Sequence, residues 1–162
     1  MKNCEHQLED RFYQVADPGR FGRDELPREF CEISALAEAH LRADDILLDL
    51  GCGKAPLHDV HANWLGVDIS LYALQSWADD KRKVCGDMQR LPFPSGSVAM
   101  VVSVAALEHA PKPELVLAEL DRVLRPGGLV YLAPAWFVRP WASRALQSRG
   151  VMRQVNSPPM CS

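Results

Sequence analysis

Leu47-Leu48-Asp49-Leu50-Gly51-Cys52-Gly53-Lys54-Ala55-Pro56 decides how this chain is read. An apolar run reaches a carboxylate at Asp49 and then turns on Gly51 and Gly53. That is the pattern of a buried strand whose carboxyl end feeds a loop where backbone can approach a ligand closely. Asp68 closes a second apolar run, Trp64–Asp68, and Asp87 closes a third, Lys83–Asp87. The three acids fall at intervals of nineteen residues. In an open α/β sheet, ligands bind beyond the carboxyl ends of the strands where strand order reverses, so these acids are expected to converge on one rim. Taken singly, each also has a plain reading as a turn or cap residue.

Working outward, five apolar runs read as strands: Ile46–Leu50, Trp64–Asp68, Lys83–Asp87, Val98–Val104 and Leu129–Ala133. Their apolarity is continuous rather than alternating, which predicts a parallel sheet covered on both faces. Helical signals lie between and before them. Phe30, Ile33, Leu36, Ala37 and Leu41 recur at helical spacing from Arg28 to Arg42. Ser70 is placed to cap a helix with Leu71, Leu74 and Ala78 on one face. Pro113 suits a first helical residue, with a stripe of Leu117, Leu120 and Leu124 and a stop at Gly127-Gly128. The connector Leu57–Asn63 is too short to need a full helix. The alternation predicts a right-handed, doubly wound α/β sheet of about five strands with helices on both faces. Residues 44–135 form the core of this reading. Residues 1–43 form an N-terminal helical or lid segment, and 136–162 a short irregular or helical tail.

Composition narrows the class. The chain has 162 residues, a net charge of −3 and a pI near 5.9. A chain of this size holds one core. A general nucleic-acid binder would usually be basic, so no nucleic-acid partner is expected. No run approaches the roughly 18–20 apolar residues that span a bilayer, and the polar start does not read as a secretory signal. Cys4, Cys31, Cys52, Cys85 and Cys161 are widely spaced, without a Cys-x-x-Cys. They read as reduced thiols, and the chain as cytoplasmic. His58 and His61 are three apart with no further cluster, so no metal site is expected.

The glycine loop can be compared with a dinucleotide fingerprint, Gly-x-Gly-x-x-Gly. In that frame Pro56 replaces the third glycine, whose small size allows helix and strand to pack around a pyrophosphate. No Gly-Lys-Ser/Thr follows either. A ligand without phosphates fits better, and a nicotinamide-dependent oxidoreductase is disfavoured.

Five stretches in order carry a resemblance. They are Leu47–Gly53, Leu65–Ser70, Cys85–Phe93, Leu107–Ala110 and Leu120–Gly128. In them the chain resembles class I S-adenosylmethionine-dependent methyltransferases, of the broad group often called type 11, over roughly residues 44–135. The resemblance implies S-adenosyl-L-methionine as cofactor and a small-molecule acceptor. It implies that Asp49, Gly51, Cys52 and Gly53 hold the methionine moiety, and that Asp68 accepts from both ribose hydroxyls. Ile69 would lie against the adenine, Asp87 would accept from the adenine amino group, and the Met88 amide would meet a ring nitrogen. Ser103 and Val104 would line the methionine side.

The sulfonium methyl is already activated, so the protein's task is alignment and water exclusion. A base is needed only for a protonated nucleophile, and His109 is the candidate. Tyr13 could belong to a lid, although a packing aromatic is the plainer reading. Trp64, Trp77, Trp136 and Trp141 read as core or interface.

Two departures from the family stand out. Ser97-Val98-Ala99 lacks the aspartate common at the start of the fourth strand. After Leu129–Ala133 the family continues with a helix and two more strands, which the Pro-rich finish of this chain does not offer. The expected sheet then ends in an exposed edge through which a homodimer could form. A shortened pseudoenzyme or partner-binding module is the alternative reading.

Overall fold

The computed structural model describes residues 26–75 and 82–135. Tyr13, Trp77, Ala78, Trp136, Trp141 and the tail 136–162 lie outside the described residues. The elements run α1 (Pro27–His40), β1 (Leu47–Leu50), β2 (Trp64–Asp68), α2 (Leu71–Gln75), β3 (Lys83–Cys85), β4 (Val98–Val104), a 3-10 turn (Leu107–His109), α3 (Pro113–Val123) and β5 (Leu124–Ala133). The sheet order is β3-β2-β1-β4-β5, with every neighbouring pair parallel.

Alternate residues of each strand feed opposite faces, as the period of two demands. Leu47, Trp64, Met100 and Val102 pack with Ile33 and Ala37 of α1 on one face. Leu48, Leu50, Val67, Val98 and Val101 pack with Val116, Leu120 and Val123 of α3 on the other. A strand buried on both sides must be apolar throughout, which is why β1 and β4 read as continuous runs.

Local chemistry explains the boundaries. Pro27 and Pro113 open α1 and α3, where the missing N–H costs nothing. Ser70 caps α2 as expected, its Oγ accepting the Ala73 N–H at 3.1 Å. The β1–β2 crossover is a series of turns, closed by Val60 N–H to Leu57 O and Trp64 N–H to His61 O.

Several expectations are corrected. β3 ends at Cys85, so Asp87 lies in the loop beyond it. The inward stripe of α3 is Val116, Leu120 and Val123, whereas Leu117 is half exposed. Leu71 is likewise outward, and Ala73 and Leu74 are the buried pair of α2. Gly127-Gly128 does not stop α3, which ends at Val123. The pair instead sits in a bulge of β5, where pairing skips from Leu124 opposite Val98 to Leu129 opposite Met100. Gly127 adopts φ +76° there. The reduced-thiol reading fails at Cys31, which is disulfide-bonded. Cys52 and Cys85 are free thiols.

Polar links tie the layers together. Asp45 pairs with both terminal guanidinium nitrogens of Arg125 and caps Arg42 N–H. Tyr131 Oη donates to Glu32 Oε2 at 2.6 Å, joining β5 to α1. β3 and β5 are the sheet's edges, and Val130 and Leu132 of β5 are exposed. Among the described residues no helix is long and apolar enough to cross a membrane.

Candidate functional site

Parallel register brings the strand-end acids to one rim. Asp49 stands opposite Gly66, and Leu50 opposite Val67. Asp68 therefore lies one step beyond the end of β1, beside the glycine loop. The chain turns back over β2 because Gly51 and Cys52 both donate their N–H groups to Val67 O, at 2.8 and 3.1 Å. Gly53 then donates to Asp68 Oδ2 at 2.7 Å, and Ser70 N–H donates to Oδ1 at 2.8 Å. Each carboxylate oxygen of Asp68 thus accepts a backbone amide.

All three N–H groups, Gly51 to Gly53, are spent inside the fold. A phosphate site needs free amides at a helix N-terminus or nest. What this loop can present is backbone surface and acceptor oxygens, backed by two carboxylates. That arrangement suits a cationic ligand bearing hydroxyl donors, and it strengthens the case that Pro56 made against a pyrophosphate.

Glycine is required at two points. Gly51 has φ +72°, and a Cβ there would collide with the Ala106 methyl, with Met88 Cε at 3.7 Å. The loops after β1, β3 and β4 therefore meet at this one residue. A Cβ on Gly66 would stand 2.5 Å from the Trp64 ring and 2.7 Å from Cys52 Sγ. Its absence lets that ring slide beneath Asp49. Trp64 Nε1–H donates to Asp49 Oδ2 at 3.3 Å.

Burial governs the electrostatics. Removal from water pushes the Asp49 carboxyl up to about 7; the Trp64 hydrogen bond opposes this and the nearby Asp68 charge adds to it. Burial, with the Asp49 and Asp68 charges behind it, also raises the Cys52 thiol well above its ordinary range. Cys52 is therefore an inert packing group, and its side chain sits in the core.

The other expected residues are placed as follows. Asp87 Oδ1 accepts Gln89 N–H at 2.8 Å, and the Gln89 amide also reaches both its oxygens, so the turn role is realised. Met88 and Ile69 are half-buried beside the rim. Ser103 is buried, its Oγ donating to Leu50 O at 3.0 Å and pinning β4 to β1 where strand order reverses. Val104 ends β4. Ala105 follows with φ +51°, a strained conformation for a residue with a Cβ. His109 is exposed, whereas its neighbour Glu108 is buried. His58 Nδ1 and His61 Nε2 donate to backbone carbonyls of Ala55 and Asp45. Among the described residues no three His, Cys, Asp or Glu side chains are grouped to hold a metal.

Sequence reasoning missed Trp64 as the partner of Asp49, Gly66 as the gap that admits it, and Glu108. Gly66 carries a faint signal as an isolated glycine inside an apolar strand, which marks close approach.

The methyltransferase domain family matches residues 48–132. The chain is 32% identical over 137 residues to a sterol 24-C-methyltransferase of Pneumocystis carinii, covering 72% of this chain and 35% of that one. It is 38% identical over 100 residues to the malonyl-(acyl-carrier protein) O-methyltransferase of Alcanivorax borkumensis, covering 53% and 33%. The crystal structure of the cyclase SpnF aligns with TM-score 0.56 and 27% identity, covering 70% of this chain and 47% of that one. The chain spans about a quarter to a third of the length of the curated relatives it matches.

Proposed function

The chain belongs to the methyltransferase domain family, and from that premise we propose that it transfers the methyl group of S-adenosylmethionine to a small-molecule acceptor. The observation that carries this reading is the Asp68 carboxylate. It is anchored by Gly53 and Ser70 amides, it borders a loop whose donors are spent, and it stands where two ribose hydroxyls could each find an oxygen. Asp49, one strand away, supplies the negative charge for a cationic ligand. Met88 and Ile69 offer apolar surface to the base, and Asp87 an acceptor to its amino group.

The bound cofactor supplies an electrophilic methyl on sulfur. The chain's residues orient it from the β1, β2 and β3 ends and from Ser103 and Val104 at the end of β4, leaving the loops beyond β4 and β5 to the acceptor. A nucleophile that carries a proton would lose it to His109 at the rim or to solvent. The relatives act on a sterol and on a protein-bound malonyl group, so the acceptor of this chain is a separate question. The likeness to a cyclase makes catalysis itself worth testing, since one fold hosts several chemistries. Formation of S-adenosylhomocysteine from labelled cofactor, with hydroxylated, amine and carboxylate acceptors, is the assay. Turnover above the acceptor-free rate supports the proposal. Its absence from a chain that binds the cofactor would favour a non-catalytic module.

A further inference from the structure

The 3-10 turn after β4 holds one unexplained group. Glu108 is 3% exposed. Its Oε1 accepts the Ala135 N–H at 3.0 Å, tying the turn after β4 to the end of β5. Its Oε2 is buried and has no hydrogen-bond partner. Native folds rarely leave a buried carboxylate oxygen unmatched, because desolvation is not recovered. Apolar residues of similar volume could fill this place, so the carboxylate is a cost without an internal return.

Its position supplies a reason. Asp49, Asp68 and Asp87 all belong to the β1–β3 half of the rim. In the loops of the other half, residues 105–110 and 134–135, Glu108 is the only carboxylate. It lies two residues along the chain from Ala106, whose methyl meets Gly51. The strained Ala105 turn that leads to it is the kind of local cost that persists at working sites.

Resting on the reading of this rim as a cofactor and acceptor site, we infer that Glu108 Oε2 binds a hydrogen-bond donor, a hydroxyl or ammonium, carried by the methyl acceptor. Glu108 is then a residue that selects and orients the acceptor, with one oxygen structural and the other free for the ligand. The reading implies an acceptor with an O–H or N–H donor.

The test follows the Glu108 side-chain carboxyl ¹³C resonance in the full chain. The probes are ethanolamine, n-propylamine and n-propanol, each titrated with and without S-adenosylhomocysteine. Glu108→Gln removes the resonance and assigns it. That variant keeps an oxygen for Ala135 N–H while replacing the free acceptor with a donor. Expected is a saturable shift at Glu108 for ethanolamine, with the single-group probes identifying which donor binds. In Glu108→Gln, probe affinity read at the Ala106 methyl should fall about tenfold or more, as for loss of a hydrogen bond to a charged group. S-adenosylhomocysteine affinity should change less than about twofold, as for an independent site. If the variant does not fold, the wild-type titration decides, with through-bond assignment. No saturable shift at Glu108 with any probe, with or without S-adenosylhomocysteine, overturns the inference. Failure of S-adenosylhomocysteine to bind would overturn the cofactor reading instead, while the probe titrations still decide the role of Glu108.

Discussion

Replacing Asp49 by Asn should change the pH dependence of stability, the variant gaining on the wild type as pH rises. Asp49 is fully buried, and its carboxyl titrates at about 7 against an ordinary value of 3.8. The folded state holds this proton more tightly than the unfolded chain. Between about pH 4 and pH 7 only the folded state carries it, so stability falls as pH rises; above about 7 the loss is complete. Each tenfold change in proton affinity is worth about 1.4 kcal/mol, so charged Asp49 costs on the order of 4 kcal/mol at pH 8. At pH 5 roughly 1.5 kcal/mol of that cost is already present by the same arithmetic. Asn keeps an oxygen for the Trp64 indole and carries no charge. Its own N–H groups need partners, so its absolute effect is mixed, but that contribution cancels between two pH values. The advantage of Asp49→Asn over wild type should therefore be larger at pH 8 than at pH 5 by up to about 3 kcal/mol. Urea unfolding of both proteins at the two pH values measures it. Parallel pH profiles for wild type and variant would refute the reasoning, because they would mean that Asp49 is not titrating in this range.

Other outcomes follow from the same geometry. Affinity for cationic S-adenosylmethionine should tighten in wild type as pH rises through about 7, as Asp49 acquires its charge, and should lose that step in Asp49→Asn; calorimetry across pH 6 to 8 reads it. Gly66→Ala places a methyl against the Trp64 ring and Cys52 Sγ and should cost about 1–3 kcal/mol in thermal unfolding. Adding Cys52→Ala should recover part of that loss, since the two sites touch. Tyr131→Phe removes the hydrogen bond to Glu32 and should cost about 0.5–1.5 kcal/mol in urea, leaving cofactor affinity unchanged.

Residues that depend on local pattern were legible in the sequence. β2 and β4 fall on the residues their apolar runs predicted, because a strand buried on both faces leaves no polar interruption. Ser70, Pro27 and Pro113 act where their backbone chemistry places them. Residues whose role depends on register or facing were not legible. Val116, Leu117, Leu120, Val123 and Leu124 contain two overlapping helical stripes, and only packing against β4 selects the one beginning at Val116. The Gly127-Gly128 pair marks a break in regular structure but not which element it breaks, and it fell inside β5. At the site, Asp68 was readable from its strand end. The spending of the Gly51–Gly53 amides was not, since it depends on how far β2 runs past β1. Glu108 and His109 are adjacent in a three-residue turn, and sequence gives no ground for choosing which faces inward. The turn buries the acid and exposes the histidine.

The most direct measurement is the calorimetric titration of S-adenosylhomocysteine into the wild-type chain and Asp68→Asn. Asn preserves the size of the side chain and one oxygen, and it removes the two-oxygen acceptor between the Gly53 and Ser70 amides. Binding by wild type, weakened at least about tenfold in Asp68→Asn, is the predicted result, as for loss of hydrogen bonds to a charged group. A folded wild-type chain that does not bind, or binding unaffected by Asp68→Asn, would contradict the assignment of this rim as the cofactor site.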